Sequence, residues 1–444
     1  MLTSALFKRE TVSLEETLKH ELVKYPPTLF ESEDQLLAAT KSLLAKSIRD
    51  QSGMTEESEQ PDNYVTNSNF QYVVDGGMLL HAIKWPADSS YEHMCSLYYT
   101  WLSKYKDVTV VFDGYEDSTK AMCHRKRIKN SCSNITPTLA AKLVVSNDKY
   151  LSNVQNKQLF LQLLQNYLKG KPVNILSYTV DADVLMCREA IERCYSGNVS
   201  LIGDDTDLLV LLLHMTRHHA FDNKLFLTTK SHIYDTERIR NSFGHKIVNS
   251  ILLTHAFTGC DTTSRIFGVG KDRLLKILDT VDSTIIDIFY SRDLTAQEVK
   301  YAGEQLFLLL LNCKAYTSLD EARYKVLDQQ IQSSSIDIKC TQLPPSSGAA
   351  EQHSYRVFYQ IQQWDEVNLN ALEWGWKLKN GDQHFPVTTN VAIAPKELLN
   401  NVRRSCAKTG CGTSCSCRKA DLPCGTVCIK CQDNCTNVPE DLQS

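Results

Sequence analysis

The chain has no apolar run long enough to cross a bilayer. Its longest apolar stretches are Leu208–Leu213 and Leu306–Leu311, against about 20 residues for a spanning helix. The first residues, MLTSALFKRE, lack the apolar core of a secretory signal. A nuclear or cytoplasmic location is therefore expected, with no membrane partner and no secretion. No basic run of the nuclear-import kind stands out either. Forty-eight basic and 52 acidic residues leave a formal net charge of −4, so no global basic field draws in a polyanion. There is no internal repeat and no long low-complexity tract. Cysteine is thinly spread over most of the chain, and then half of the 16 fall between Cys406 and Cys435.

With 444 residues, the chain is too long for one ordinary core. Residues 1–65 read as a helical extension and linker. Leu14, Leu18 and Leu22 share one helix face before Pro26-Pro27, and a second helix is expected over Leu36–Ile48. From Phe70 the pattern changes to short β-rich runs (72–74, 108–112, 173–176 and 199–202) alternating with helical stretches such as 92–104 and 183–194. That alternation predicts an α/β fold with a mostly parallel central sheet flanked by helices. This core is expected over 66–325. A linker follows over 326–350, then a small aromatic-rich appendage over 351–400, then a cysteine-rich module over 401–436.

Aspartates recur just past the short β-like runs: Asp75 in VVDGG, Asp113 in VVFDGY, Asp181 and Asp183 in VDADVL, and Asp205 and Asp207 in GDDTDLLVLLL. Asp261, in TGCDTTSRIFGVGK, completes the set. Parallel α/β sheets carry their chemistry beyond the carboxyl ends of the strands. Acids converging there repel one another unless cations lie between them. Magnesium and manganese suit oxygen donors and leave room for a substrate phosphate. Each Asp alone could equally be a helix N-cap, but together they favour a divalent-metal site, with phosphodiester hydrolysis as its leading chemistry.

A different signal follows Asp261. Gly268 and Gly270 separate two helical stretches, and Lys271 and Arg273 come directly after. Glycines there permit a tight hairpin whose backbone N–H groups approach a phosphate, with nearby cations to neutralise it. The alternative is an ordinary helical hairpin with a glycine turn.

The order VVDGG, VFDG, DAD, GDDTD and GCDTTSRIFGVGK resembles the flap endonuclease (XPG-like) branch of the PIN-like nuclease superfamily. The resemblance covers about residues 70–280. It extends further, through HAFTGCDTTS, VFYQIQQW and EWGWKL, to animal proteins that join such a core to a cysteine-rich tail. It implies a PIN-like sheet with a helix–two-turn–helix element at Gly268–Gly270 that grips a duplex backbone. It also implies two Mg²⁺ or Mn²⁺ ions: one held by Asp75, Asp113 and Asp183 with Asp181 nearby, the other by Asp205 and Asp207 with Asp261 in the outer shell. A Lys and an Arg that contact the scissile phosphate follow the second acid of the family by seven and fourteen residues, which falls here on Lys120 and Arg127. Asp181 and Asp183 stand where flap endonucleases have glutamates, and His81 where they have a base-stacking Tyr.

The tail carries Cys406, Cys411, Cys415, Cys417, Cys424, Cys428, Cys431 and Cys435. Short repeated gaps suit tetrahedral thiolate zinc, and so short a segment needs metal to fold. Eight thiolates would fill two separate four-ligand Zn²⁺ sites or bridge a larger cluster. The spacing resembles in part the CXC (tesmin/TSO1-like) DNA-binding domain, although Arg404 and Ser414 replace a Cys and a Tyr of that pattern.

The expectation is thus a structure-specific nuclease that cleaves branched or single-strand-containing DNA by two-metal-ion hydrolysis. The alternatives are a catalytically weak or inactive nucleic-acid-binding protein that retains the fold, and an RNA-cleaving PIN-like nuclease.

Overall fold

The computed structural model describes residues 13–54, 69–113, 119, 132–143, 145–178, 182–332, 342–379, 381, 383–396, 411, 415 and 418. Of the sequence-singled positions, Lys120, Arg127, Asp181, Cys406, Cys417, Cys424, Cys428, Cys431 and Cys435 lie outside the described residues, as does the side chain of Asp113. The chain divides into two units. One is drawn from Met1–Gln35, Gly303–Gln352 and Thr388–Ser444, the other from Leu36–Ala302 and His353–Val387. Among the described residues no helix is long and apolar enough to cross a membrane.

The second unit is built on a six-stranded sheet. Helix α1 (Ser42–Gln51) precedes strand β1 (Phe70–Asp75), helix α2 (Gly76–Ala82) and helix α3 (Tyr91–Leu102). Strand β2 (Val108–Asp113), helix α4 (Val154–Leu168), strand β3 (Asn174–Tyr178), helix α5 (Ala182–Cys194) and strand β4 (Asn198–Ile202) follow. Helix α6 (Thr206–Met215), strands β5 (Leu225–Thr228) and β6 (Ile233–Asp235), helix α7 (Thr236–Asn249), helix α8 (Ile251–Phe257) and the short helix α9 (Arg273–Ile277) complete the run. The strand order is β3-β2-β1-β4-β5-β6. Every pairing is parallel except β5 with β6.

The strands form because their apolar, mostly β-branched residues are buried on both faces, as central parallel strands require. Val73, Val74, Val110, Val111, Val199 and Leu201 are all essentially inaccessible. One face (Val74, Val110, Phe112) packs on Leu79, Leu80, Met94, Tyr98, Phe160 and Leu164 from the helices between β1 and β3. On the other face, α5 lies across β1, β2 and β4 and also packs on α6. The middle of helix α6, Leu208–Leu213, is apolar all round and buried, as a central helix must be.

The sequence places 351–400 in a separate appendage, but residues 353–387 belong to the sheet-bearing unit. The cause is a set of buried polar pairings along helix α10 (Ser347–Trp364). His353 Nε2 meets the carbonyl of Phe257 at 3.1 Å, and its Nδ1 meets Ser264 Oγ at 3.0 Å. Gln362 Nε2 donates to the Phe289 carbonyl at 3.2 Å. Past α10, strands Trp376–Lys379 and Gln383–Pro386 pair antiparallel.

In the first unit the expected N-terminal helix spans only Leu14–Leu18. It stops short of Leu22, whose φ of 61° leaves the helix. Leu18 joins Leu327 and Leu343 in a small core. The segment expected to be a linker over 326–350 instead contains the end of helix Leu319–Gln332 and the start of α10.

Candidate metal centre

The four parallel strands β1–β4 end on one edge of the sheet, and the order reverses between β1 and β4. Such a switch point opens a crevice at the carboxyl ends. Asp75 closes β1, and Asp205 follows β4 by three residues. The two elements are in contact beyond the last ladder pair: a Cβ on Gly203 would lie 3.4 Å from Asp75 Cβ and 3.8 Å from its Oδ2. Asp113 closes β2 in register with Tyr178, so its backbone reaches the same edge. Gly76, directly after Asp75, has no room for a side chain, since a Cβ there would lie 2.2 Å from the Phe112 ring and 2.6 Å from the Val111 carbonyl oxygen. The VVDGG motif therefore reflects close packing of β1's exit on β2.

Asp75 and Asp205 both act as helix N-caps. Asp75 Oδ1 accepts from Gly77 N–H at 2.7 Å and Asp205 Oδ1 from Asp207 N–H at 3.0 Å. The capping reading and the cluster reading hold together, because capping orients the second oxygen of each group. Asp183, in the first turn of α5, is half-buried. It lies close enough to raise the pKa of Asp205.

Asp205, Asp207 and Asp261 each offer one carboxylate oxygen, and the three oxygens lie within 4.8 Å of one another. A cluster of hard oxygen donors in partial burial fits a divalent cation of the magnesium or manganese kind. Asp261, which the resemblance puts in the outer shell of the second ion, offers one oxygen to this group. Its place is set by the turn after α8. Gly259 adopts φ 104°, and a Cβ there would lie 2.6 Å from Arg265 N. Cys260 N–H donates to Thr263 Oγ1 at 3.0 Å, and Thr263 Oγ1 donates to the Ala256 carbonyl at 2.6 Å. Thr262 Oγ1 donates to Gln360 of α10. The motif GCDTTS is thus a turn held from both sides.

Two side chains that the sequence did not single out complete the cluster. His255 is fully buried on α8, and its Nε2 meets Asp207 Oδ1 at 2.8 Å. Burial, then the charge of Lys271, pushes the His255 pKa down to about 4. The neutral ring donates through Nε2–H, and its buried Nδ1 has no hydrogen-bond partner. The other is Lys41. Its Nζ lies 2.7 Å from Asp205 Oδ1, 3.0 Å from Asp207 Oδ1 and 3.2 Å from Asp261 Oδ1. Burial opposes its charge, but Asp207, Asp205 and Asp261 together hold the pKa above the ordinary lysine value. With three carboxylates to one ammonium, negative charge remains in surplus. Burial, then Asp207, with Asp183 and Asp261 adding to it, pushes Asp205 up to about 8 against the pull of Lys41.

The glycine hairpin differs from the sequence reading. Gly268 does take a left-handed turn, at φ 77°, between α8 and α9. Lys271, however, does not face a phosphate. It is 6% exposed, and its ammonium donates to the carbonyls of His255, at 2.7 Å, and Gly259. Burial pushes its pKa down to about 7. Its role is to tie α8 to the Asp261 turn. Gly270 shows no positive φ, and Arg273 opens α9 half-buried. Asp204 also turns away from the cluster, accepting from Lys230 N–H at 2.9 Å and pairing with its Nζ at 2.7 Å. In the tail, Cys411 and Cys415 are both buried, and Arg418 Nη1 donates to the Cys411 carbonyl at 3.3 Å.

No family profile matches the chain, and no curated protein matches it. Among solved structures it is similar to the bacteriophage T5 D15 protein co-crystallised with metal ions: 14% identity, 67% of this chain, 91% of that chain and a TM-score of 0.37. It is also similar to the bacteriophage T5 D15 flap endonuclease in a complex with DNA and metal ions: 15% identity, 67% and 99% covered, TM-score 0.31. A third is the catalytic core of Rad2 in complex with DNA substrate: 13% identity, 72% and 97% covered, TM-score 0.35. These overlaps are too low to carry the chemistry of those proteins across to this chain.

Proposed function

We propose that the chain is a divalent-metal-dependent nuclease that hydrolyses phosphodiester bonds in DNA, with branched or single-strand-containing DNA as substrate. The observation that carries the reading is the convergence of Asp205, Asp207 and Asp261 oxygens within 4.8 Å of one another. They stand on the sheet edge where Asp75 also ends its strand. In this reading Asp75, Asp113 and Asp183, with Asp181, form one cation position and Asp205, Asp207 and Asp261 the other. Mg²⁺ or Mn²⁺ bound there would supply Lewis acidity toward a phosphate and lower the pKa of a bound water. His255 holds Asp207 in place through its Nε2–H. The α8–α9 hairpin and Lys120 with Arg127 would contact the nucleic-acid backbone, the latter pair stabilising charge that grows on the phosphate. The tail would be a Zn²⁺ module built on its eight cysteines, which zinc analysis by mass spectrometry of the purified protein would test.

Purified protein offered flap, gapped, single-stranded and RNA substrates with Mg²⁺ or Mn²⁺ tests the reading. Cleavage of a DNA substrate that is lost in Asp205→Ala supports it. No cleavage of any substrate, with a parent protein that binds neither Mg²⁺ nor Mn²⁺, contradicts it. One observation favours a second reading, a weakly active nucleic-acid-binding protein: Lys41 already neutralises part of the acid cluster. That reading predicts DNA binding without turnover in the same assay.

A further inference from the structure

Lys41 belongs to the segment before the sheet, and its backbone is fixed there. Leu44 N–H donates to the Lys41 carbonyl at 2.9 Å as α1 begins. Leu44 and Ile48 of α1 are fully buried, and α1 packs on α6 and α7. Upstream, the Leu37 carbonyl accepts from Arg265 N–H at 2.9 Å. The Ala39 methyl lies where a Cβ on Gly259 would come within 2.9 Å. The stretch 37–41 is therefore docked on the turn that carries Asp261, and the same turn fixes both the ammonium and one of its acids. The ammonium has three protons, and it sits within 3.2 Å of an oxygen on each of three carboxylates. Its side chain is 19% exposed. A divalent ion binding the same oxygens at about 2.0–2.6 Å would stand within a few ångströms of a like charge.

We propose that Lys41 is a built-in cation that takes the place of one divalent ion. The Asp205–Asp207–Asp261 position is served by the ammonium, and a single Mg²⁺ or Mn²⁺ is held on the Asp75 and Asp183 side. This inference rests on the metal-dependent reading above and changes its stoichiometry. Lys41 is then a positioning residue for the three carboxylates, and its removal opens a second ion site. A purely structural lysine would do the opposite, since damage to the cluster lowers metal binding.

The test is a Mn²⁺ titration of full-length, zinc-replete protein at neutral pH, counting bound ions by electron paramagnetic resonance and calorimetry. Wild type is expected to bind one ion in the acid cluster, lost in Asp183→Asn. Lys41→Met is expected to bind two, with Asp205→Asn in that background returning the count to one. Lys41→Gln, neutral and close in length, gives the same count if Lys41→Met folds poorly. Two ions bound by wild type overturn the inference without any variant. So does an unchanged count and affinity in a folded Lys41 variant, with the Asp183-dependent ion still present. That outcome leaves the nuclease reading standing, whereas no Mn²⁺ bound by any form removes both.

Discussion

Substituting His255→Phe isolates the support beneath the acid cluster. Asp207 is 1% exposed and receives the His255 Nε2–H at 2.8 Å. Phenylalanine approximates the ring's volume but removes the donor, so packing changes little and the carboxylate loses a hydrogen bond. A hydrogen bond to a charged group contributes about 1.5–3 kcal/mol. In a unit of this size each kcal/mol moves the melting temperature by about 2–4 °C. The metal-free protein should therefore melt several degrees lower. Loss of a residue that orients a metal ligand typically costs about 10–100-fold in affinity, so in the Lys41→Met background, where Asp207 becomes free to hold an ion, the midpoint for the second Mn²⁺ should move up by at least an order of magnitude. Differential scanning calorimetry and the titration read the two effects separately. His255→Phe that melts like the wild type, and that leaves the second Mn²⁺ of Lys41→Met bound as tightly as before, would show that the His255–Asp207 contact orients nothing.

Asp205 gives the pH dependence. Its folded pKa, pushed up to about 8 from an ordinary 3.8, means that the metal-free fold holds that proton more tightly than the unfolded chain does. The associated stability is present in full below about pH 4 and is lost as pH rises through about 8. Metal-free protein should therefore melt lower at pH 9 than at pH 6, and Asp205→Asn should flatten that slope in pH-dependent melting curves. In Lys41→Met the affinity for the second Mn²⁺ should run the other way, rising with pH as the proton on Asp205 is displaced. Gly259→Ala forces a side chain into φ 104° against Arg265 N at 2.6 Å, and strain of this kind costs about 1–3 kcal/mol before the clash is counted; a lowered melting point in scanning calorimetry is expected. In the other unit, Arg323 is buried and donates to the Leu18 carbonyl at 3.0 Å and to Pro344, 3.6 Å from Glu21. Arg323→Ala leaves Glu21 uncompensated, at a cost of about 3–5 kcal/mol; hydrogen exchange should speed up in Leu14–Leu18 and Leu319–Gln332.

The sheet was legible because β1 and β2 are short valine-rich runs closed by an Asp, and β4 is an apolar run followed by Asp205 within three residues; such runs announce themselves locally. The acids Asp75, Asp205 and Asp207 could be read for the same reason. Strands β5 and β6 were not, since KLFLTTK and HIYD are too short for their alternation to stand out. The partners of the cluster were illegible for a different reason. Lys41 meets Asp205 across 164 positions, and Gln360 meets Thr262 across 98; no local period encodes such pairs. A lysine after a glycine hairpin reads as solvent-facing because lysines are rarely buried, and Lys271 is the exception because two backbone carbonyls accept from it. His255 carried one faint signal. It lies six residues before Asp261 on a helix that is otherwise apolar over Ile251–Phe257 apart from Thr254, so a buried polar partner was needed.

The most direct test of the account is a crystal of the wild-type protein soaked in Mn²⁺, with diffraction recorded at the manganese edge. An anomalous peak bounded by Asp75 and Asp183, with Lys41 still seated among Asp205, Asp207 and Asp261, is the predicted result. A cluster that collects no manganese at any of these carboxylates would contradict it.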